Sequence, residues 1–276
     1  MATNVPASAA AESSPPFPSF EERSIPSDPV IVILETRRIR WTLNGPLESA
    51  VTISRDAHFD PDEIPEPYYL GSSSNNSDDD EKDRKPNWHP VSQLPLTEPK
   101  VSSLLLSVDS LDHWDYHWME KHKQHSDLDE KRGSDIPDDE LFYGPLPDEH
   151  LLVCCGEKRP VDKGVKGKVV IKPATGGGGF VTIHDFISTV HPYLMARRNE
   201  VLEAMSKDPG RERFSPEISP MVLWLSAPNV DVMDEAAWIK RQTRRSRNVS
   251  GKKLTQEEMN QRALRLVMET VGPSAS

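Results

Sequence analysis

The longest regular apolar pattern in the chain follows Thr182, and it requires a helix with one buried face. Thr182 precedes Asp185 by three residues, which is the spacing of a capping box at a helix N-terminus. Apolar side chains then recur every three or four residues, at Ile183, Phe186, Ile187, Val190, Leu194, Val201 and Met205. This stripe predicts an amphipathic helix over residues 182–206, and Pro192 should kink it or split it in two.

Short apolar runs elsewhere predict the strands against which this helix packs. They lie at Val30–Leu34, Ile39–Leu43, Val101–Val108, Trp114–Trp118, Leu151–Cys155, Lys168–Ile171 and Met221–Leu225. Aromatic rings at every second position of Trp114–Trp118 should share one face of a strand. Leu151–Cys155 and Lys168–Ile171 predict an antiparallel hairpin. The expected fold is therefore α+β, with a small, mostly antiparallel sheet packed against one kinked helix.

Composition limits how much of the chain this fold includes. Hydrophobic residues make up 36% of the sequence, which also holds 25 prolines and acidic, low-complexity stretches. We expect a disordered lead over residues 1–28 and an α+β domain over 29–230, with disordered acidic insertions near 71–87 and 120–140. A helical, basic C-terminal segment should follow over 231–276, with helices at Val232–Arg245 and Thr255–Glu269.

The N-terminus and the apolar content predict a cytoplasmic or nuclear protein without a membrane partner. Met1–Ser19 lacks the basic and apolar regions of a secretory signal, and no stretch approaches the roughly 20 apolar residues of a membrane span. The only two cysteines, Cys154 and Cys155, are adjacent. In a strand they would point to opposite faces, so we expect one buried and one half-exposed thiol, with a redox or metal role as the alternative.

Several short motifs occur in a recognisable order: Trp41-Thr42-Leu43, Leu96-Thr97-Glu98-Pro99 ahead of Val101–Val108, Trp114–Trp118, and Val181–Phe186. Together they resemble an uncharacterised fungal domain family of unknown function, over about residues 30–207. The resemblance implies a small antiparallel sheet with a helix against it, and it brings no activity or catalytic residues. The family's C-terminal "R-V-D-hydrophobic" segment is not found after Trp238, so the resemblance does not extend to the C-terminal third.

A glycine run offers one possible cofactor site. Lys172 ends a predicted strand, and Gly176, Gly177, Gly178 and Gly179 follow it. This order is similar to the phosphate-binding loop of ATP-grasp ligases, in which the strand lysine would meet phosphate. The usual phosphate-loop motifs and the downstream magnesium ligands are missing, and Phe180 ends the run early. The simpler interpretation is a flexible link between a strand and a helix, and we expect no cofactor.

Four neighbouring histidines, His113, His117, His122 and His125, offer a possible metal site. His113 and His117 would share a face of a helix, as the histidine pairs of zinc sites do. In the predicted strand they would instead lie with Asp115 on a solvated face. Cys154 or Cys155 with a histidine is a conceivable nucleophile, but no nucleophile elbow and no acid–base pair is recognisable, so no catalytic residue is predicted.

A basic run marks the C-terminal part of the chain. Lys240, Arg241, Arg244, Arg245, Arg247, Lys252 and Lys253 give seven positive charges without an acid. The whole chain carries −11, so the remainder sums to −18. Such a run can be a nuclear import signal, a nucleic-acid contact or a helix end whose charges suit the helix dipole. Direct nucleic-acid binding is the least expected, because an acidic remainder repels phosphates.

Together these features predict a non-enzymatic protein-interaction, scaffold or regulatory protein. Its acidic loops and its basic run would contact a protein partner whose identity the sequence does not reveal. Two alternatives stay open. One is a nucleotide-dependent enzyme that uses Lys172 and the glycine run, and the other is a nuclear regulator addressed by the basic run 240–253.

Overall fold

The computed structural model describes residues 16–23, 29–73, 85–123, 141–143, 151–160, 168–175, 178–208, 220–226 and 228–247. The strands are short and are, in chain order, β1 (Ile31–Val32), β2 (Ile39–Trp41), β3 (Val51–Ile53), β4 (Glu66–Pro67), β5 (Tyr69–Ser73), β6 (Lys85–Trp88), β7 (Thr97–Glu98), β8 (Leu104–Val108), β9 (Leu141–Tyr143), β10 (Leu151–Cys154), β11 (Glu157–Lys158), β12 (Lys168–Ile171), β13 (Pro220–Ser226) and β14 (Asn229–Asp234). The helices are α1 (Phe20–Arg23), α2 (Leu47–Ala50), α3 (Asp109–Asp112), α4 (Trp114–Lys121), α5 (Ile183–Ala196), α6 (Arg198–Lys207) and α7 (Glu235–Arg247). Among the described residues, 3₁₀ helices lie at Leu34–Arg38 and Pro90–Gln93.

The largest sheet among the described residues has the strand order β12-β8-β14-β13. β12 runs antiparallel to β8, β8 runs parallel to β14, and β14 runs antiparallel to β13. The smaller sheets, β2-β3-β4 and β9-β10-β11, and the pairs β1–β7 and β5–β6 are antiparallel. The predicted α+β fold with mostly antiparallel sheets is confirmed.

The amphipathic helix predicted over residues 182–206 forms α5 and α6, and the N-terminus of α5 has the expected capping box. The Thr182 hydroxyl accepts from the Asp185 amide at 3.0 Å, and the Asp185 carboxylate accepts from the Thr182 amide at 2.8 Å. Buried side chains of α5, such as Phe186, join those of β8 in the main core, and each such side chain contributes roughly 1.5–3 kcal/mol on burial. Pro192 lies inside α5 and does not end it. The helical segment is instead divided at Arg197, between α5 and α6. The Arg197 amide bonds to the Leu194 carbonyl, which tightens the last turn and ends α5.

The prediction that Trp114–Trp118 is a strand is wrong, because these residues form α4. Trp114 and Trp118 are both buried, whereas Tyr116 is 60% exposed. Residues four apart share a helix face, so α4 directs both tryptophans inward and the tyrosine outward. The aromatic residue at every second position therefore does not indicate a strand here. It arises because a helix buries the two tryptophans and exposes the tyrosine between them.

The predicted hairpin of Leu151–Cys155 with Lys168–Ile171 is also wrong. β10 pairs with β9 and β11, whereas β12 pairs with β8. Cys154 lies opposite Glu157, so the two-residue turn Cys155-Gly156 closes a hairpin within β10–β11 itself. β12 instead lies beside the apolar strand β8, with Ile171 opposite Leu104.

Parts of the segments predicted as disordered are folded. Within the 1–28 lead, Phe20 of α1 is buried, and its amide donates to the Ser103 carbonyl at 2.8 Å. Within the 71–87 insertion, the end of β5 pairs with β6, and residues 74–84 lie outside the described residues. The 120–140 insertion begins within α4, and residues 124–140 lie outside the description.

The C-terminal boundaries also differ from the prediction. Val232 belongs to β14, so β14 crosses the predicted domain limit at 230/231. The helix predicted from Val232 to Arg245 begins at Glu235, because the Asp234 carboxylate accepts from the Ala237 amide at 2.7 Å and caps it there. The predicted helix Thr255–Glu269 lies outside the described residues. No helix in the described part of the chain is both long and apolar enough to cross a bilayer.

Candidate functional site

Three metal-ligating side chains converge where the end of α4 meets the β10–β11 turn. The ligand atoms of His122, Cys154 and Cys155 all lie within 4.8 Å of one another, and the two Sγ atoms are 3.6 Å apart. His122 and Cys154 are buried, whereas Cys155 is exposed. Within the described residues this is the one place where three such side chains meet.

The turn between β10 and β11 is what brings the two thiols together. Cys155 has φ +52° and Gly156 has φ +73°, which is the left-handed geometry of a two-residue hairpin turn. Because Cys155 lies in this turn, it does not follow the alternation of a strand. The expectation that Cys154 and Cys155 point apart is therefore wrong, although both remain thiols, one buried and one exposed. A glycine directly after the second cysteine was the sequence feature that could have indicated this turn.

A charged network surrounds Glu157, the first residue after the turn. The carboxylate of Glu157 accepts from Lys121 Nζ at 2.9 Å and lies 2.8 Å from Lys207 Nζ. Its other oxygen lies 3.3 Å from His122 Nε2. Partial burial alone would raise the pKa of Glu157, but the hydrogen bonds from Lys207, Lys121 and His122 lower it to about 2. This side chain therefore joins the hairpin to α4 and α6.

A second ion pair fixes the hairpin against α4. Arg159 Nε and Nη2 donate to the two carboxylate oxygens of Asp115 at 2.6 and 2.8 Å, a bidentate arrangement. The imidazole of His122 also packs on the ring of Trp118, with centroids 4.4 Å apart. Trp118 forms a small hydrophobic cluster with Leu151 and Cys154. Polar and apolar contacts together thus hold the three ligating side chains in place.

The histidines predicted as a metal pair lie elsewhere. The rings of His113 and His117 stack with centroids 6.0 Å apart, as expected of residues four apart near a helix. His113 Nδ1 lies 3.2 Å from Asp109, and His117 Nε2 lies 4.0 Å from Asp208. No third side chain completes a metal-ligating group with this pair in the part of the chain that the structure describes. His122, which belongs to the same run of four histidines but was not part of the predicted pair, lies where the ligating side chains converge.

The predicted phosphate loop lies between β12 and α5. Lys172 is exposed just after β12, Gly178 is exposed, and Gly179 adopts φ +75°. Gly176 and Gly177 lie outside the described residues. The Asp185 carboxylate accepts from the Ala174 amide at 2.9 Å as well as from its own helix cap. A carboxylate therefore occupies the helix N-terminus at which a phosphate would have to bind.

The first part of the basic run lies on α7. Trp238 anchors this helix: it is buried with Met221 and Met233, and its ring meets that of Phe59 edge to face at 5.2 Å. Lys240, Arg241 and Arg244 are exposed on the same helix. The side chains of Arg245 and Arg247 lie outside the described residues, as do Lys252 and Lys253.

Two histidines of α5, the buried His191 and the half-buried His184, were not predicted as structural contacts of this helix. The Trp41 indole donates to His191 Nδ1 at 3.0 Å, and His191 Nε2 lies 3.0 Å from the Gly45 carbonyl. His184 Nδ1 lies 3.0 Å from the Tyr68 hydroxyl. Burial raises the pKa of Tyr68 far above its ordinary value and lowers that of His184. Both histidines join α5 to the strands and loops that pack on it.

Comparisons with family models, with curated proteins and with solved structures give no match for this chain. What the chain binds must therefore be inferred from its own residues.

Proposed function

We propose that this protein is a non-enzymatic interaction protein that binds an acidic protein partner through the basic face of α7, defined by Lys240, Arg241 and Arg244. The observation that carries this proposal is the two-sided character of α7. Trp238 fastens one side of the helix to β13 and β14, while Lys240 and Arg244 are exposed on the opposite side and Arg241 is exposed between them and Trp238. A rigidly attached helix presents these charges in a fixed arrangement, which reduces the conformational entropy lost on binding.

The charge distribution supports an acidic partner. The chain carries −11 in total, yet the exposed residues at the end of α7 are basic. Such a local patch attracts a complementary acidic surface and repels unsuitable partners, so it contributes mainly to specificity and association rate. The acidic remainder of the chain disfavours a nucleic acid, because an extended polyanion would meet more of this acidic surface than a local acidic patch of a protein does.

The nucleotide-dependent alternative is less favoured by the geometry of the β12–α5 segment. Asp185 accepts from the amides of Ala174 and Thr182, so these donors are already paired with a negative group. A phosphate at the same place would meet a carboxylate, which is electrostatically unfavourable. We therefore expect ATP with Mg²⁺ to leave the thermal unfolding midpoint unchanged, and a rise that Lys172→Ala abolishes would favour the enzyme.

Charge reversal on α7 tests the proposed interaction. The full-length K240E/R244E variant and a matched K85E/K168E control, which reverses two exposed lysines elsewhere, serve as bait in quantitative affinity capture. We expect the α7 variant alone to lose a group of partners. Their direct binding to the purified protein should weaken by about tenfold or more and depend on salt, because like charges at an interface are costly.

The same variants separate this proposal from its nuclear alternative. Recovery of the same partners by wild type and K240E/R244E would contradict the proposal. A variant that keeps its partners and loses only nuclear accumulation would identify the basic run as an import signal instead.

A further inference from the structure

We propose that His122, Cys154 and Cys155 form a binding site for one zinc ion, which fastens the β10–β11 hairpin to the end of α4. The site is separate from the basic face of α7 and does not depend on it. The inference rests on the distances between the ligand atoms, on the hydrogen bond to His122 and on the contacts that fix the hairpin.

The spacing of the ligand atoms suits a tetrahedral ion. Zinc–thiolate bonds of about 2.3 Å at a tetrahedral centre place two sulfurs about 3.8 Å apart. The Sγ atoms of Cys154 and Cys155 are 3.6 Å apart, and the ligand atoms of all three residues lie within 4.8 Å of one another. Both thiols and the imidazole can therefore reach one ion with only small side-chain adjustments.

The contact of His122 with Glu157 is one that a zinc-bound histidine would make. His122 Nε2 lies 3.3 Å from the Glu157 carboxylate, so the proton on Nε2 leaves Nδ1 with the lone pair that binds metal. Metal-bound histidines usually donate their second ring nitrogen to a carboxylate or carbonyl in this way. Glu157 is itself held by Lys121 and Lys207, so its position is set by contacts other than the histidine.

Independent contacts organise the site before any ion binds. The bidentate pair of Arg159 with Asp115 joins the residue after β11 to α4. Lys207 at the end of α6 holds Glu157 from another side. Because these ion pairs position the hairpin, the ion does not have to assemble its ligands from separate flexible segments.

The donor set favours zinc over the hard divalent ions. Two thiolates neutralise the charge of a divalent ion, and sulfur with imidazole selects zinc over Mg²⁺ and Ca²⁺, which prefer oxygen. Three protein ligands leave the fourth tetrahedral position to water, which can approach on the side of the exposed Cys155. The ion would add coordinate bonds to the ion pairs that already join the hairpin to α4.

Cadmium absorbance provides a direct test with the full chain, purified under reducing conditions and stripped with a chelator. The sequence holds only two cysteines, so any thiolate-to-cadmium charge-transfer band reports Cys154 and Cys155. We expect the band to saturate at one ion per chain. Zinc should displace the cadmium, and zinc affinity is then measured by competition with a chromophoric chelator.

Variants identify the ligands. Cys155→Ser, at an exposed position, should keep the fold by circular dichroism and lose most of the band. Glu157→Gln should weaken zinc binding by about 10–100-fold, as expected for a residue that supports a ligand. His122→Asn should weaken it further, whereas the matched control H113N/H117N should bind as the wild type does.

Three results would overturn the proposal. The first is the absence of a cadmium band in the folded, reduced wild type. The second is saturation at one ion per two chains, which would mean bridging between molecules. The third is zinc binding that survives Cys155→Ser but disappears in H113N/H117N, which would place the metal at the other histidine pair.

Discussion

At the residue scale, Asp185 has more partners than its position in a capping box requires. Its carboxylate accepts from the amides of Ala174 and Thr182 and from the Thr182 hydroxyl, while the side chain is buried. One side chain thus fixes both the start of α5 and the segment that enters it from β12. A hydrogen bond to a charged group stabilises a fold more than one between neutral groups does. A buried donor that loses its acceptor destabilises the fold.

Replacing this carboxylate should therefore destabilise the fold. We expect Asp185→Ala to lower the free energy of unfolding by about 2–4 kcal/mol, because several donors lose a charged acceptor at once. Urea denaturation measures the change. Glu48→Ala, which removes an exposed acid from the first turn of α2, is the matched control and should change it by less than about 0.5 kcal/mol. Equal effects of the two substitutions would contradict the role assigned to Asp185.

His184 should make stability depend on pH. Burial lowers its pKa, with Asp185 opposing the shift, while Tyr68 and Trp88 pack on the ring. The unfolded chain therefore binds more protons than the folded chain as the pH falls below about 6.5, so acidification lowers the free energy of unfolding. His184→Gln should reduce this loss between about pH 7 and pH 5, measured by urea denaturation at each pH.

The comparison with an exposed histidine sharpens this test. His58, whose side chain is 55% exposed, provides the control substitution His58→Gln. If the two variants have the same pH dependence as the wild type, the burial of His184 does not contribute to acid sensitivity.

At the scale of elements, local sequence patterns predicted helix α5 well and α4 poorly. α5 has an N-terminal capping box and a long apolar stripe, and this stripe packs into the main core. Its local sequence signals and its tertiary packing therefore favour the same structure. Trp114–Trp118 is short, and its aromatic spacing fits a strand as well as a helix with one exposed ring. Burial of Trp114 and Trp118 against the rest of the fold decided between the two, and that information is not local.

The attachment of α7 to the sheet depends mainly on Trp238. This side chain is 3% exposed and packs with Met221, Met233 and Phe59. We expect Trp238→Ala to lower the free energy needed to detach α7 from the sheet by about 3–5 kcal/mol. Hydrogen exchange should then accelerate in α7 and at the end of β14, while the amides of α5 keep their protection.

An exposed apolar residue on the same helix provides the control for that prediction. Ile239 is 37% exposed, so Ile239→Ala should affect exchange in α7 far less. Unchanged exchange of α7 in Trp238→Ala would mean that other contacts hold the helix, and the basic face would then have a different support.

At the scale of the whole molecule, the fold class was predictable but the strand pairing was not. The apolar run at β8 and the apolar stripe of α5 predict a sheet covered by a helix. The parallel pairing of β14 with β8 joins residues more than 100 positions apart, and no short-range pattern specifies it. The sequence left a metal role open for the two cysteines but could not join them to His122, for the same reason. The three side chains meet only through tertiary structure and an uncommon backbone conformation at Cys155.

The distribution of buried apolar residues predicts two levels of stability. The main cluster joins side chains from Phe20 in α1 to Val232 in β14, so these elements should unfold together. The β10–β11 hairpin contributes instead to a separate, three-member cluster with Trp118. A smaller buried surface supports its position, so the hairpin should open without unfolding the rest.

Native-state hydrogen exchange of the metal-free protein can detect this difference. Amides of β8 and α5 should exchange only on global unfolding, so their exchange should report the full free energy of unfolding. The Arg159 amide, which bonds to the Leu152 carbonyl, should exchange when the hairpin alone opens. Because this opening exposes less surface, the free energy of exchange at Arg159 should depend less steeply on urea. Equal free energies for both sets would contradict a separate opening of the hairpin. Zinc should slow exchange in β10–β11 alone if His122, Cys154 and Cys155 bind it, because a ligand of the closed form stabilises only the opening that breaks its site.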